Sequence, residues 1–269
     1  MTIKLFVGCG ANGEDVEAQA MFEYSLYKHI SGPVEVTWMK LSKDPASPWY
    51  SNPKKREGWN TEGWATPFSA FRWAIPHVCN FEGKAIYMDG VDMIVKDDLY
   101  KLWNQEIPAG KCILTKNESQ TCVILFDCAA CKQHFPNFDY LRQTPGFYRN
   151  VRRNIGVHAG HFQGNWNCLD GEKYASLDDP DIKILHFTKV ESQPHLKWAL
   201  PRLHAQGQKH WGEHARPIGL KHDRKEIAPM VEKLWAEAQA AGYTADKYMP
   251  KPEEAFGKYN SVRGGAKVA

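Results

Sequence analysis

Apolar and polar positions along the first ninety residues follow two periods. Residues 2–8 form a short apolar run that stops at Gly8, which predicts a buried strand. Residues 14–30 repeat at helical spacing, with Val16, Ala20, Phe22, Leu26 and Ile30 on one face, and Ser31-Gly32-Pro33 ends the helix. Residues 34–41 alternate as a second strand, completing a β-α-β opening. Residues 42–65 have no period and are rich in Pro, Ser, Trp and charge, which predicts a long loop of the kind that often carries function. A short helix over 68–78 and a strand over 84–88 restore the alternation. The predicted fold is therefore α/β, with a mostly parallel sheet flanked by helices.

The second half is less regular. Strands are predicted over 111–115, 121–126 and 182–187, a helix starts at 128–134, and residues 137–170 are loop-rich. Beyond Pro201 the pattern turns helical, with a clear helix over 227–241, and the Gly-rich end, 261–269, reads as disordered. This divides the chain into a first unit, 1–201, and a helical extension, 202–269.

Composition changes the picture at three points. Net charge is only +3, too little to suggest nucleic-acid binding, but residues 202–269 carry 12 Lys/Arg against 8 Asp/Glu, so the basic excess belongs to the extension. That excess is compatible with docking to an anionic acceptor or membrane surface, but a solvated helical face explains it better. No run approaches the ~20 apolar residues of a membrane span. Seven cysteines, an odd number behind an apolar start too short for a secretory signal, point to a reducing cytoplasm rather than a disulfide framework. Finally, ten tryptophans are many, and sugar binding is one reason for such an excess. Trp49, Trp59 and Trp64 lie in the long loop, where they could cover a ligand; Trp73, Trp103 and Trp166 read as core.

The chemically loaded segment is Lys84-Ala85-Ile86-Tyr87-Met88-Asp89-Gly90-Val91-Asp92-Met93-Ile94-Val95. A buried strand ends in Asp89, with Asp92 three residues on, and ligands in open α/β sheets bind just outside the carboxyl ends of strands. Paired carboxylates at such a point hold a divalent cation, or else Asp89 and Gly90 make a turn that Asp92 caps.

The run with Arg72, Ile75-Pro76, Gly83-Lys84, Tyr87-Met88-Asp89, Asp92-Met93-Ile94-Val95, Asp98-Leu99 and Leu102-Trp103 resembles the nucleotide-sugar core of GT-A fold glycosyltransferases. It is most similar to family 8, the group of glycogenin and the lipooligosaccharide galactosyltransferases. Val123-Ile124-Leu125-Phe126-Asp127, Trp166-Asn167-Cys168-Leu169-Asp170 and Ile184-Leu185-His186-Phe187 extend the likeness over roughly residues 2–200. The resemblance implies a GT-A domain that takes a hexose from a nucleotide-sugar, a UDP-sugar in most such enzymes, with retention of configuration. The acceptor, a glycan, lipid or protein, is left open.

By resemblance, Asp89, Asp92 and His186 would hold Mn²⁺ or Mg²⁺. An imidazole beside carboxylates favours manganese on chemical grounds. Arg72 would bridge the acidic motif and the donor, Lys189 or Lys197 would contact phosphate, and Gly8 to Gly13, with Gly8 and Asn12 foremost, would seat the nucleoside. The polar residues near the far face of the sugar are Gln120, Arg153 and Asn154, of which Asn154 is the candidate catalytic group. The sequence departs from the family's Asp-x-Asp by one residue: either Gly90 lets the turn bulge so that both carboxylates converge, or one of them binds the metal alone.

Three other readings compete. Cys128, Cys131, His158 and His161 have ligand types for zinc. A noncatalytic carbohydrate- or nucleotide-binding protein would explain the altered acidic motif. A sugar-nucleotide-making nucleotidyltransferase shares the architecture but normally opens with a basic phosphate loop.

Overall fold

The computed structural model describes residues 1–144, 156–174, 176–214, 218 and 222–259. In chain order the strands are β1 (Ile3–Gly8), β2 (Val34–Met39), a small hairpin of β3 (Ser51–Asn52) and β4 (Glu57–Gly58), then β5 (Lys84–Met88) and β6 (Met93–Val95). They continue as β7 (Ile113–Thr115), β8 (Val123–Asp127), β9 (Ala159–His161), β10 (Cys168–Leu169) and β11 (Ile184–His186). Helix α1 (Val16–His29) joins β1 to β2. The main sheet has the order β2-β1-β5-β8-β7-β9. Its β1–β2, β1–β5 and β7–β9 pairs are parallel, whereas β8 runs antiparallel to β5 and β7. The mostly parallel α/β sheet read from the sequence is thus present.

Both faces of this sheet are covered, which is why its strands read as continuous apolar runs. Phe6, Tyr87, Ile124 and Phe126 face one core, while Leu5, Val7, Ile86, Met88 and Leu125 face the other. The first core contains Trp49, Trp59 and Trp64, exposed by 6%, 2% and 0%, with Trp59 edge-on to Phe71 at 5.2 Å. These loop tryptophans are therefore core and cover no ligand, contrary to expectation. An aperiodic segment can still bury large rings when the hairpin β3–β4 folds it back on the sheet. Trp73, Trp103 and Trp166 are buried as expected.

A smaller sheet, β10-β11-β6, stands beside the main one, with β11 antiparallel to β6. The register pairs His186 with Met93, which sets His186 next to the Asp89–Asp92 turn. The C-terminal part closes over α1. Helix Leu196–Ala205 crosses the division placed at residue 201, and its Arg202 makes two hydrogen bonds to the Glu17 carboxylate of α1, at 2.6 and 2.8 Å. Helix Ile227–Ala240 packs on α1 as well, with Glu237 accepting from Tyr24 at 3.2 Å and Lys28 at 2.8 Å. This second layer explains why Glu17 and Gln19, on the polar side of α1, are buried. The expected disorder of 261–269 concerns residues outside those described. No helix among the described residues is long and apolar enough to cross a membrane, and all seven cysteines are free thiols.

Candidate active site

A cavity of about 350 Å³ opens where β1, β5 and β11 end, and Asp89, Asp92, His186 and Gln120 stand in its wall. Asp89 leaves β5 with its backbone N–H still bonded to the Cys122 carbonyl at 2.7 Å. Its Oδ1 accepts from the Tyr87 hydroxyl at 2.5 Å and from Arg72 Nη2. Burial pushes the Asp89 carboxyl up, but the Arg72 guanidinium and the Tyr87 hydroxyl outweigh it and hold the group below its ordinary value. Arg72 is itself anchored by the Ser69 carbonyl at 2.9 Å and the Thr121 carbonyl at 2.7 Å, so it buttresses Asp89 from behind.

Gly90 leaves the space that Asp92 occupies: a Cβ there would stand 2.8 Å from Asp92 Oδ1. The extra residue is therefore absorbed by a turn that only glycine fits without displacement. Asp92 Oδ2 accepts from Gln193 Nε2 at 2.7 Å, while Oδ1 is buried with no hydrogen-bond partner among the described residues. His186 Nδ1 lies 2.9 Å from Asn167 Oδ1, an acceptor, so Nδ1 carries the proton and Nε2 turns to Asp92 Oδ2 at 3.7 Å. Burial pushes the Asp92 carboxyl up, with His186 offsetting part of this; burial also pushes the His186 imidazole down, but Asp92, Asp89 and Asp170 together outweigh it and raise it. The pair tends to keep a proton that a cation could replace.

The structure thus brings Asp89, Asp92 and His186 to one cavity, with Arg72 behind. Gly8 serves by absence: a Cβ there would come within 2.5 Å of the Asp89 backbone oxygen. Two expected residues are elsewhere. Asn12 is tied to Glu14 Oε1 at 2.9 Å and exchanges hydrogen bonds with Gly257 at 2.7 and 3.0 Å, and it does not line the cavity. Lys189 is exposed, lies 3.1 Å from Asp223 and belongs to a separate cavity of about 450 Å³. Lys197 pairs with Glu232. Asn154 and Arg153 fall outside the described residues. Cys128 and Cys131 are fully buried at a helix start, while His158 stacks on His134 at 3.7 Å. Among the described residues these four do not gather into a metal-ligand cluster.

The cluster that does gather is one the sequence analysis missed. Asp15, His195 and His210 bring ligand atoms within 4.8 Å of one another, a set close enough to hold a divalent cation. Asp15 precedes α1 but does not cap it. Its Oδ2 accepts from Gly10 N–H at 2.8 Å and Trp211 Nε1 at 3.2 Å, and its Oδ1 from His210 Nε2 at 2.8 Å. His195 lines the cavity beside it. The only local signal was a carboxylate next to a glycine-rich loop, and nothing in the spacing of 15, 195 and 210 announces contact.

Burial, helped by His210 and opposed by Asp15, pushes the His195 imidazole down to about 4. Folding thus favours its neutral form, so its stabilising effect is complete above the unfolded value near ~6.5 and is lost as pH falls toward 4. The loss amounts to about 3 kcal/mol. Urea unfolding with EDTA present should therefore fall more steeply between pH 6.5 and 4 for the wild type than for His195→Gln. Parallel acid limbs would contradict this.

No protein-family model matches the sequence, and no curated protein matches it. Solved structures do. WbbM, a bifunctional glycosyltransferase in its apo form, superposes at a TM-score of 0.50 with 12% identity over 70% of this chain and 46% of its own. The apo form of the glycosyltransferase GlyE from Streptococcus pneumoniae TIGR4 gives 0.52 and 13% over 94% of this chain and 65% of that one. This is a GT-A-like glycosyltransferase fold. The chain spans less than two thirds of either neighbour's length, and at these identities the likeness concerns architecture alone.

Proposed function

We propose that this protein is a glycosyltransferase that takes a hexose from a nucleotide-sugar, a UDP-sugar, with retention, and passes it to a glycan, lipid or protein acceptor. One observation carries the reading: the cavity at the carboxyl end of β5 gathers Asp89, Asp92 and His186, and leaves Asp92 Oδ1 buried without a partner among the described residues. Such an orphan costs about 1–3 kcal/mol unless a ligand satisfies it. That oxygen, together with His186 Nε2, which stands 3.7 Å from the other Asp92 oxygen, suits a divalent cation, and the mixed oxygen and nitrogen donors favour Mn²⁺ over Mg²⁺.

When bound, the cation supplies positive charge against the departing diphosphate. The chain's own groups prepare the site. Asn167 fixes the tautomer of His186, Gln193 fixes one oxygen of Asp92, and Arg72 holds Asp89 ionised. Gln120 is the amide in the cavity wall that can face a sugar. The seven free thiols support a reducing, cytoplasmic setting.

Hydrolysis of UDP-glucose, UDP-galactose and GDP-mannose, followed with and without Mn²⁺, tests the reading. Release of nucleoside diphosphate from at least one donor, dependent on the cation, is expected. Binding without turnover would favour a noncatalytic binding protein, and neither binding nor turnover would overturn the proposal.

A further inference from the structure

Among the described residues, two buried polar atoms in the cavity wall lack a hydrogen-bond partner. One is Asp92 Oδ1; the other, His195 Nε2, has no part in the reaction as proposed. The His195 side chain is 4% exposed and its Nε2 lies 3.9 Å from Asp15 Oδ1, too far for a direct hydrogen bond. Asp15 is ionised: burial pushes its carboxyl up, but His210, His195 and the Gly10 N–H hold it down at about 2. Among the described residues its Oδ2 takes two donors, while Oδ1 takes only His210 and has a lone pair to spare.

The gap has a chemical meaning. An oxygen about 2.7–2.9 Å from each atom bridges 3.9 Å, provided it both gives and takes a hydrogen bond. A hydroxyl does both. A phosphate oxygen cannot donate, and the Asp15 charge repels it. The neutral imidazole, facing a carboxylate oxygen, presents Nε2–H. We propose that Asp15 and His195 form a subsite for a sugar hydroxyl of the donor, in which the hydroxyl donates a hydrogen bond to Asp15 Oδ1 and accepts one from the His195 N–H.

The proposal rests on reading this cavity as the donor site. The same residues could instead hold a cation. Against that, His210 Nδ1 accepts the Gly212 N–H at 3.0 Å, so Nε2 carries the proton given to Asp15, and a cation would have to expel it. The bridging hydroxyl leaves that proton where it is.

The test is calorimetric binding of UDP-glucose, and of analogues lacking single hydroxyls of the ribose or of the hexose, to the wild type, His195→Ala and His195→Gln in the presence of Mn²⁺. Thermal melts establish that each variant is folded. His195→Ala should bind UDP-glucose about tenfold more weakly, and His195→Gln, which keeps an N–H donor, should recover most of the loss. For one analogue the wild type should already be weak and His195→Ala no weaker, and whether that analogue is modified in ribose or hexose identifies the source of the hydroxyl. Affinity within twofold of wild type, an equal loss for every analogue, or a stoichiometric cation retained by the wild type and lost by His195→Ala would each overturn the subsite. If the wild type itself binds no UDP-glucose, the UDP-sugar reading fails first, and the subsite falls with it.

Discussion

His186→Ala and Asp92→Asn are each expected to lower nucleotide-sugar turnover by about a hundredfold or more, the scale of losing one preorganised charge-stabilising group. Asp92 contributes Oδ1, the buried oxygen without a partner among the described residues, and His186 contributes Nε2, which Asn167 turns toward the Asp92 carboxylate. Without His186 the cation has one ligand fewer; in Asp92→Asn the carboxylate charge is gone. Both variants should need more Mn²⁺ to reach half their maximal rate, which separates a cation role from simple misfolding. Steady-state kinetics across a Mn²⁺ series, alongside thermal melts, measures this. Rates within fivefold of wild type with unchanged Mn²⁺ dependence would remove these residues from the reaction.

Arg72→Ala should destabilise the fold by about 3 kcal/mol, the low end for a buried pair, because it leaves a partly buried carboxylate, 21% exposed, without its counter-charge. Arg72 is 9% exposed and reaches Asp89, the Ser69 carbonyl and the Thr121 carbonyl and hydroxyl, with its guanidinium 4.8 Å above the Tyr87 ring. Losing it also frees Asp89 from the interaction that holds its carboxyl down, so the acidic motif would titrate higher. Arg72→Lys should recover little, since an ammonium cannot reproduce a fork that serves three partners at fixed angles. Urea unfolding at pH 7 gives the magnitude. Such a loss is a large share of the ~5–15 kcal/mol typical of a domain. A change below about 1 kcal/mol would mean that Asp89 finds other compensation.

How much of this was legible in the chain depended on distance along it. β1, α1, β5 and β8 announce themselves because alternation and helical spacing are local consequences of which side chains meet the core. The Asp89–Asp92 turn was legible for the same reason, since an apolar run that ends in acid must bring the acid to a strand end. The loop tryptophans were misjudged because no periodicity marks a segment whose burial is decided by a hairpin folding over the sheet. Lys189 and Asn12 sit in segments that look suitable, yet Lys189 opens on a different cavity and Asn12 is bound to Gly257, which the C-terminal segment brings across the first loop.

By itself the sequence determined the α/β class, the strands β1, β2, β5, β7, β8 and β11, and the placement of Asp89, Asp92 and His186 at strand ends, because those follow from patterns of a few residues; β9 and β10, in a stretch read as loop-rich, were not among them. Only the tertiary structure decided that the C-terminal helices cover the side of α1 turned away from the sheet, and that Arg72 locks Asp89. It alone brought Asp15, His195 and His210 together at the cavity. Contacts between residues nearly two hundred positions apart leave no mark on local spacing, and they form only when burial of the remaining apolar surface fixes one arrangement of the chain.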